Sequence, residues 1–190
     1  SQTSGGSISL FNVHATEINC KSLGGAINCD SVSGKIKIEN SGQGINIQNS
    51  HGDLNVKSNS GNILISETKG TLKCLASFGD ITMKKVIGNV ESLSSNGDIH
   101  LELIYDSSID DHGVHLETHS GNIILDIPKR LPINLKSTIY QSKSYKDINS
   151  EMPMDVSILE DKVVGIKKLE EGTIPINLEV HQGIITIKES

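Results

Sequence analysis

The sequence predicts an all-β fold, a parallel β-solenoid with about eighteen residues per coil. Three observations predict it. The 190 residues include 27 Ile, 25 Ser, 15 Asn and 18 Gly, against five aromatic side chains and no Trp. That stock favours strands and tight turns. Glycines recur every nine residues from Gly52 to Gly97. After each Gly, apolar and polar residues alternate, the period of a strand with one buried face.

The repeat begins at Gly6-Ser-Ile-Ser-Leu10 and continues through Gly25-Ala-Ile-Asn-Cys29, Gly34-Lys-Ile-Lys-Ile38 and the shortened Gly44-Ile-Asn-Ile47. Gly52-Asp-Leu-Asn-Val56, Gly61-Asn-Ile-Leu-Ile65, Gly70-Thr-Leu-Lys-Cys74 and Gly79-Asp-Ile-Thr-Met83 keep strict register. Gly88-Asn-Val-Glu-Ser92, Gly97-Asp-Ile-His-Leu101, Gly121-Asn-Ile-Ile-Leu125 and Gly183-Ile-Ile-Thr-Ile187 complete it. Each unit reads as a strand of about five residues plus a corner, with Gly free to take a positive φ. Nine residues cannot form a hairpin and return to register. Two units therefore make one coil, and strands eighteen apart pair in parallel.

Alternate units differ, which supports the two-unit coil. An apolar or Thr residue recurs seven places after the glycines of one series, at Val13, Val32, Thr68, Val86 and Ile104. Coils stack about 4.8 Å apart, so seven or eight would make a rod about 35–40 Å long. A narrow interior filled by stacked medium-sized side chains accounts for the shortage of aromatics. Cys20, Cys29 and Cys74 fall at inward positions and read as small buried thiols. Their odd number gives no disulfide framework.

The regular coils are expected over 1–125, with an inserted loop near 104–113. From 126 to 190 the pattern dissolves, and all four prolines lie there. This stretch reads as irregular final coils and a C-terminal cap of one continuous domain, covering a strand edge that would otherwise be exposed. Within it, Leu131–Leu135, Val156–Leu159, Val163–Ile166 and Ile174–Leu178 read as strands, and 140–153 as a long polar loop.

The repeated (Ser/Asn)-Gly-(Asp/Asn)-Ile-x-(Leu/Ile) units, the final Gly183–Ile187 copy and the irregular stretch before it resemble an adhesin-like β-solenoid domain family of unknown function. That family is bacterial with eukaryotic members. The resemblance covers most of the chain. It implies a single-stranded β-helix, right-handed as parallel crossovers are, and brings no catalytic motif with it.

Charge and motifs narrow the function classes. Net charge is −6 and the pI about 5.6, without a basic cluster, so nucleic acid is not an expected partner. No apolar run approaches the ~20 residues of a membrane span, and no signal peptide is visible at Ser1–Leu10. The 15 Asn form no N-x-Ser/Thr signal, which favours an intracellular location, cytoplasmic or mitochondrial, over the cell surface or secretion. No nucleophile elbow, phosphate loop or His-Glu-x-x-His is present, so no catalytic residue or cofactor is expected.

Two constellations remain as weak metal candidates. In Asp110-Asp-His-Gly-Val-His-Leu-Glu-Thr-His119, residues His115, Glu117 and His119 share an outward strand face. Positions two apart are separated by ~6.6 Å and four apart by ~13 Å, so all three cannot hold one ion. A two-ligand site with His112 or Asp111 is the alternative, and a solvated polar face outweighs it. Asp80 and Asp98 should stack one coil apart, where paired carboxylates could hold a cation or act on a polysaccharide. Corner hydrogen bonding by Asx outweighs both. The leading expectation is a non-enzymatic binding or scaffolding module for a protein or glycan, with outward rows such as Lys35, Lys37, Asn46, Asn55, Lys73, Thr82 and His100. Its loops 104–113 and 140–155 are expected to set specificity. The alternatives are self-association through coil ends and, behind that, a polysaccharide-active enzyme.

Overall fold

The computed structural model describes residues 1–109, 112–168 and 173–190. Among these residues it is all-β and solenoid-like, apart from a 3-10 turn at Tyr145–Asp147. The strands are β1 (Gln2–Thr3), β2 (Ile8–Ser22), β3 (Ile27–Asn40), β4 (Ile45–Gln48), β5 (His51–Ser58), β6 (Ile63–Phe78), β7 (Ile81–Asn96) and β8 (Ile99–Leu103). They continue as β9 (Val114–Ser120), β10 (Ile123–Ile127), β11 (Ile133–Tyr140), β12 (Ile148–Ser150), β13 (Asp155–Leu159), β14 (Lys162–Lys168), β15 (Ile174–Gln182) and β16 (Ile185–Glu189).

Several strands are longer than a nine-residue unit. β6 and β7 each run 16 residues. The cause is the second corner of each coil, which is turned by one non-glycine left-handed residue followed, from Ser31 onward, by a positive-φ glycine three places later (Gly34, Gly52, Gly70 and Gly88). Asn12, Ser31, Asn49, Glu67 and Lys85 have φ between 51° and 57°. Such a corner bends a strand and leaves the pairing on either side intact. Glycine turns the other corner.

Parallel ladders run along the chain at offsets of eighteen. Ile27 pairs with Ile45, Ile45 with Ile63, Ile63 with Ile81 and Ile81 with Ile99. The pleat sends every second residue inward, so identical positions stack. Ile8, Ile27, Ile45, Ile63, Ile81, Ile99, Ile123, Ile185 and Ile148 form one continuous inward column, each no more than 7% exposed. The facing ladder stacks Ile18, Ile36, Leu54, Leu72, Val90, Val114, Ile176 and Leu135. Cys20, Cys29 and Cys74 are buried and free in this core. Burial pushes the Cys29 and Cys74 thiols up to about 12, Cys20 adding to the shift at Cys29.

The regular spacing breaks after Leu103. Ile99 pairs with Ile123, and Val90 with Val114, so one coil is longer. The inward slot expected for Ile104 belongs to Leu103, which is 1% exposed and pairs with Val86, whereas Ile104 is exposed. The corner there has one residue fewer, two steps from Leu101 to Leu103 against three from Met83 to Val86, and the pleat shifts by one.

Beyond Ile127 the spatial order departs from chain order. β15 lies between β9 and β11, and β16 between β10 and β12. The two Pro-Ile-Asn-Leu segments are direct neighbours, since Leu135 pairs with Ile176. β14 and then β13 extend the sheet beyond β11 in antiparallel pairing. The segment expected as a polar loop over 140–153 instead begins in β11 and contains both the 3-10 turn and β12, which pairs with β16. Ile148 and Met152, each 7% exposed, anchor it to the core, which a reading of average polarity misses.

Candidate functional site: the outward face of β9, β15 and β11

Strand alternation gives this face its contents. On β9, Val114, Leu116 and Thr118 point into the core at 3% exposure or less. His115, Glu117 and His119 therefore point out. β15 lies next to it in register, with Glu117 opposite Glu179, and β11 follows, with Thr138 opposite Glu179. This places His119, His181 and Tyr140 side by side on three adjacent strands that are remote in sequence.

The three rings form a contiguous row, Tyr140 stacked on His181 and His119 tilted against it. The Tyr140 and His181 ring centroids are 4.6 Å apart and 20° from coplanar. His181 and His119 are 4.9 Å apart at 33°. Carboxylates flank the row. The Tyr140 hydroxyl donates to Glu179 Oε2 at 2.9 Å, and this bond, with some burial, raises the Tyr140 pKa. Glu117 lies 3.8 Å from His181 Nε2 through one oxygen and 3.7 Å from His115 Nε2 through the other. Each of these side chains is about one-third exposed.

Two shallow depressions adjoin the row. One, of about 300 Å³, runs from His119 and Glu117 over Leu75 and Leu93 to Lys57 and Ser77. The other, of about 420 Å³, is bordered by His115, Pro175 and Asn177 and by Lys73, whose Nζ bonds Glu91 at 2.7 Å. The face thus offers π edges, carboxylates, an ammonium group and aliphatic floor on a low-relief surface. Such a surface can hold an extended ligand but cannot enclose a small molecule.

His115 and Glu117 are brought together as expected from their spacing, and His181, Tyr140 and Glu179 join them. Reading the chain missed those three, because nothing local places β15 beside β9. The outward pattern of Glu179 and His181 between Leu178 and Val180 was the available signal. His112 does not join the cluster. It is 4% exposed, its Nε2 donates to the Asp106 carbonyl at 2.8 Å, and its ring lies 5.0 Å from Tyr105. Asp111 lies outside the described residues. Among the described residues no three His, Cys, Asp or Glu side chains converge as metal ligands would.

Asp80 and Asp98 occupy a hydrogen-bonded corner ladder. Asn62 Oδ1 accepts the Asp80 amide at 2.9 Å, Asp80 Oδ1 accepts the Asp98 amide at 2.9 Å, and Asp98 Oδ1 accepts the Asn122 amide at 2.7 Å. Asn122 Oδ1 continues the ladder to the Ile184 amide at 3.0 Å. These carboxylates satisfy orphaned amides of the next coil. A separate outward pair, His100 Nε2 and Asp126 Oδ2 at 2.6 Å, lies on the other ladder. In the 104–113 region, Ser108 and then Lys69 hold the Asp106 carboxyl well below the usual range.

Comparison with known proteins gives one match. The family model described as Toastrack DUF4097 matches residues 1–125. No curated protein matches this chain, and no solved structure does. Among the described residues no helix is long and apolar enough to cross a membrane.

Proposed function

We propose a function on one premise: the chain belongs to the Toastrack DUF4097 family. The protein is a non-enzymatic binding or scaffolding module, adhesin-like in the sense that a rigid β-solenoid displays a flat recognition face. Its architecture is a single-stranded, right-handed coil of about eighteen residues, a reading supported by the parallel offsets and by the handedness of parallel crossovers. The face of β9, β15 and β11 engages an extended protein segment or glycan. The observation that carries this reading is the contiguous His119–His181–Tyr140 ring row flanked by Glu117 and Glu179. Polar side chains gathered from three distant segments onto one exposed surface add nothing to the core. Exposed aromatic groups held on a rigid scaffold are typical of recognition surfaces. The non-enzymatic reading is supported by the corner carboxylates, each of which uses one oxygen, Oδ1, to accept a backbone amide of the next coil.

The test is a pull-down from the native compartment, run beside a glycan array, with the wild type and the variant His119→Ser/His181→Ser/Tyr140→Ser. A partner held by the wild type and lost by the variant supports the face. Equal capture by both, with the variant folded, moves the function elsewhere.

A second reading is self-assembly. One observation favours it: among the described residues Ile8–Phe11 of β2 pairs with β3 only, and Phe11 is 74% exposed. Light scattering against concentration tests it, and a strictly monomeric species at high concentration ends it.

A further inference from the structure

The strand order holds a feature that the recognition reading does not use. Residues 133–168 supply β11 to β14, and among the described strands none of these pairs with the body formed by residues 2–127. β11 reaches β9 only through β15, and β12 reaches β10 only through β16. The chain therefore skips one rung between Ile127 and Ile133, builds the far wall of a slot, and fills that slot with its last strands.

The filling is complete on both flanks. β15 is in register with β9 from Ile176 to Gln182 and with β11 from Ile174 to Val180. β16 is in register with β10 and with β12. Backbone bonds seal the margins: Thr173 and Ile174 donate to the Pro132 carbonyl at 3.0 Å, and Lys129 and Ser190 close the other side against Ser190 and Ile127. Ile174, Ile176, Leu178, Val180, Ile185 and Ile187 enter the core at 5% exposure or less.

We infer that residues 173–190 are a donor segment for a preformed slot, and that the slot accepts this segment from a second copy of the chain, giving an exchanged dimer. The argument is independent of what the recognition face binds. The strand pairings of the donor are with the two slot walls, so cis and exchanged forms share one set of ladders. They differ only in the connection from Lys168 to Ile174. Lys168 pairs with Asn134, and Ile174 with Ile133. Lys168 and Ile174 therefore lie on either side of β11, separated by about 9.6 Å at two strand spacings. Five intervening residues reach that span easily, so the wild type closes in cis at ordinary concentration. Removing residues 169–172 leaves only Thr173 between the two ends. Two steps of about 3.8 Å reach about 7.6 Å, too short for cis closure. In the dimer that results, each recognition face takes His181 and Glu179 from the partner copy.

The experiment uses the full chain and the outward cross-strand pair His115 and Asn177, which are register partners on β9 and β15. Neighbouring Cα atoms there suit a disulfide. His115→Cys and Asn177→Cys are made in separate chains, with and without deletion of 169–172, and each pair is mixed, unfolded and refolded together. The deletion pair is expected to give a dimer by sedimentation, with the interchain disulfide as its main covalent product. The wild-type-linker pair is expected to give the same disulfide only when refolded near millimolar concentration, the effective concentration of a short linker. A folded monomeric deletion variant overturns the inference. Should the deletion chain fail to fold, absence of the interchain disulfide in the concentrated wild-type-linker pair overturns it as well.

Discussion

Gly70 is the position where a single methyl group should do most damage. It sits in β6 at φ +133°, stacked between Gly52 and Gly88. A Cβ there would lie 2.2 Å from the Gly52 carbonyl oxygen and 3.0 Å from its carbon. Both atoms are backbone, and both belong to a strand paired on its other side with β3. Relief therefore requires parting two paired strands. A left-handed conformation costs an L-residue about 1–2 kcal/mol. Loosening two ladder hydrogen bonds adds about 1 kcal/mol each. Gly70→Ala should destabilise by about 3–4 kcal/mol, which for this chain length lowers Tm by about 10 °C. Gly5→Ala is the control, since a Cβ there meets nothing within 4 Å, and its Tm should stay within about 2 °C of wild type. Thermal unfolding followed by circular dichroism reads both. A Gly70→Ala protein melting within about 2 °C of wild type would refute close stacking of the corner glycines.

Three other outcomes follow from the same geometry. Asp98→Ala removes the acceptor for the Asn122 amide and should cost about 1 kcal/mol. Asp98→Asn keeps an acceptor and should stay within about 0.5 kcal/mol; equal losses in the two would contradict the ladder role. The Cys74 thiol ionises near its ordinary 9.0 when unfolded and near 12 when folded. The folded state then holds the proton longer, so stability is intact below pH 9 and falls as pH rises toward 12, at up to about 1.4 kcal/mol per unit for each such thiol. Urea midpoints between pH 8 and 11 should decline less steeply in Cys74→Ala than in wild type, and parallel slopes would count against it. Lys85 occupies the left-handed corner at φ 53°, a conformation that Asn tolerates better. Lys85→Asn should raise Tm by about 2 °C, and a lower Tm would mean the corner depends on the Lys85–Glu67 ion pair.

The sequence shows much of the fold because the signals are local and repeated. The Ile column is written in the chain as an Ile two residues after most corner glycines, and nine of the 27 Ile fall in that one stack. The second corner is far less legible. Asn12 and Asn49 are familiar left-handed residues, but Glu67 and Lys85 carry no such mark, because the ladder imposes their conformation against weak local preference. The sequence carries a further mark of the glycine corner. Ser22, Ser58 and Thr118 stand three residues before a corner Gly and are buried there, where Ser22 Oγ and Ser58 Oγ accept the amides of Gly25 and Gly61, and Thr118 Oγ1 donates to the Gly97 carbonyl. The site is half legible. The alternation places His115, Glu117 and His119 on one face, but His181 and Tyr140 arrive through a strand that is inserted out of order. No nine-residue pattern encodes a skipped rung. It is fixed by which exposed edges remain when the last strands form.

Spin-label distances test that order most directly. Asn19, Lys37, Asn55, Lys73, Glu91, His115, Asn177 and Lys136 form one outward row across successive strands. Labels at Asn19→Cys and Asn177→Cys, six rungs apart, should lie about 29 Å from each other. Labels at Asn19→Cys and Lys136→Cys, seven rungs apart, should lie about 34 Å from each other, at about 4.8 Å per rung. The longer distance must belong to the residue that comes 41 positions earlier in the chain. If Lys136 proves nearer to Asn19 than Asn177 is, the coils stack in chain order and the inserted final strand is wrong.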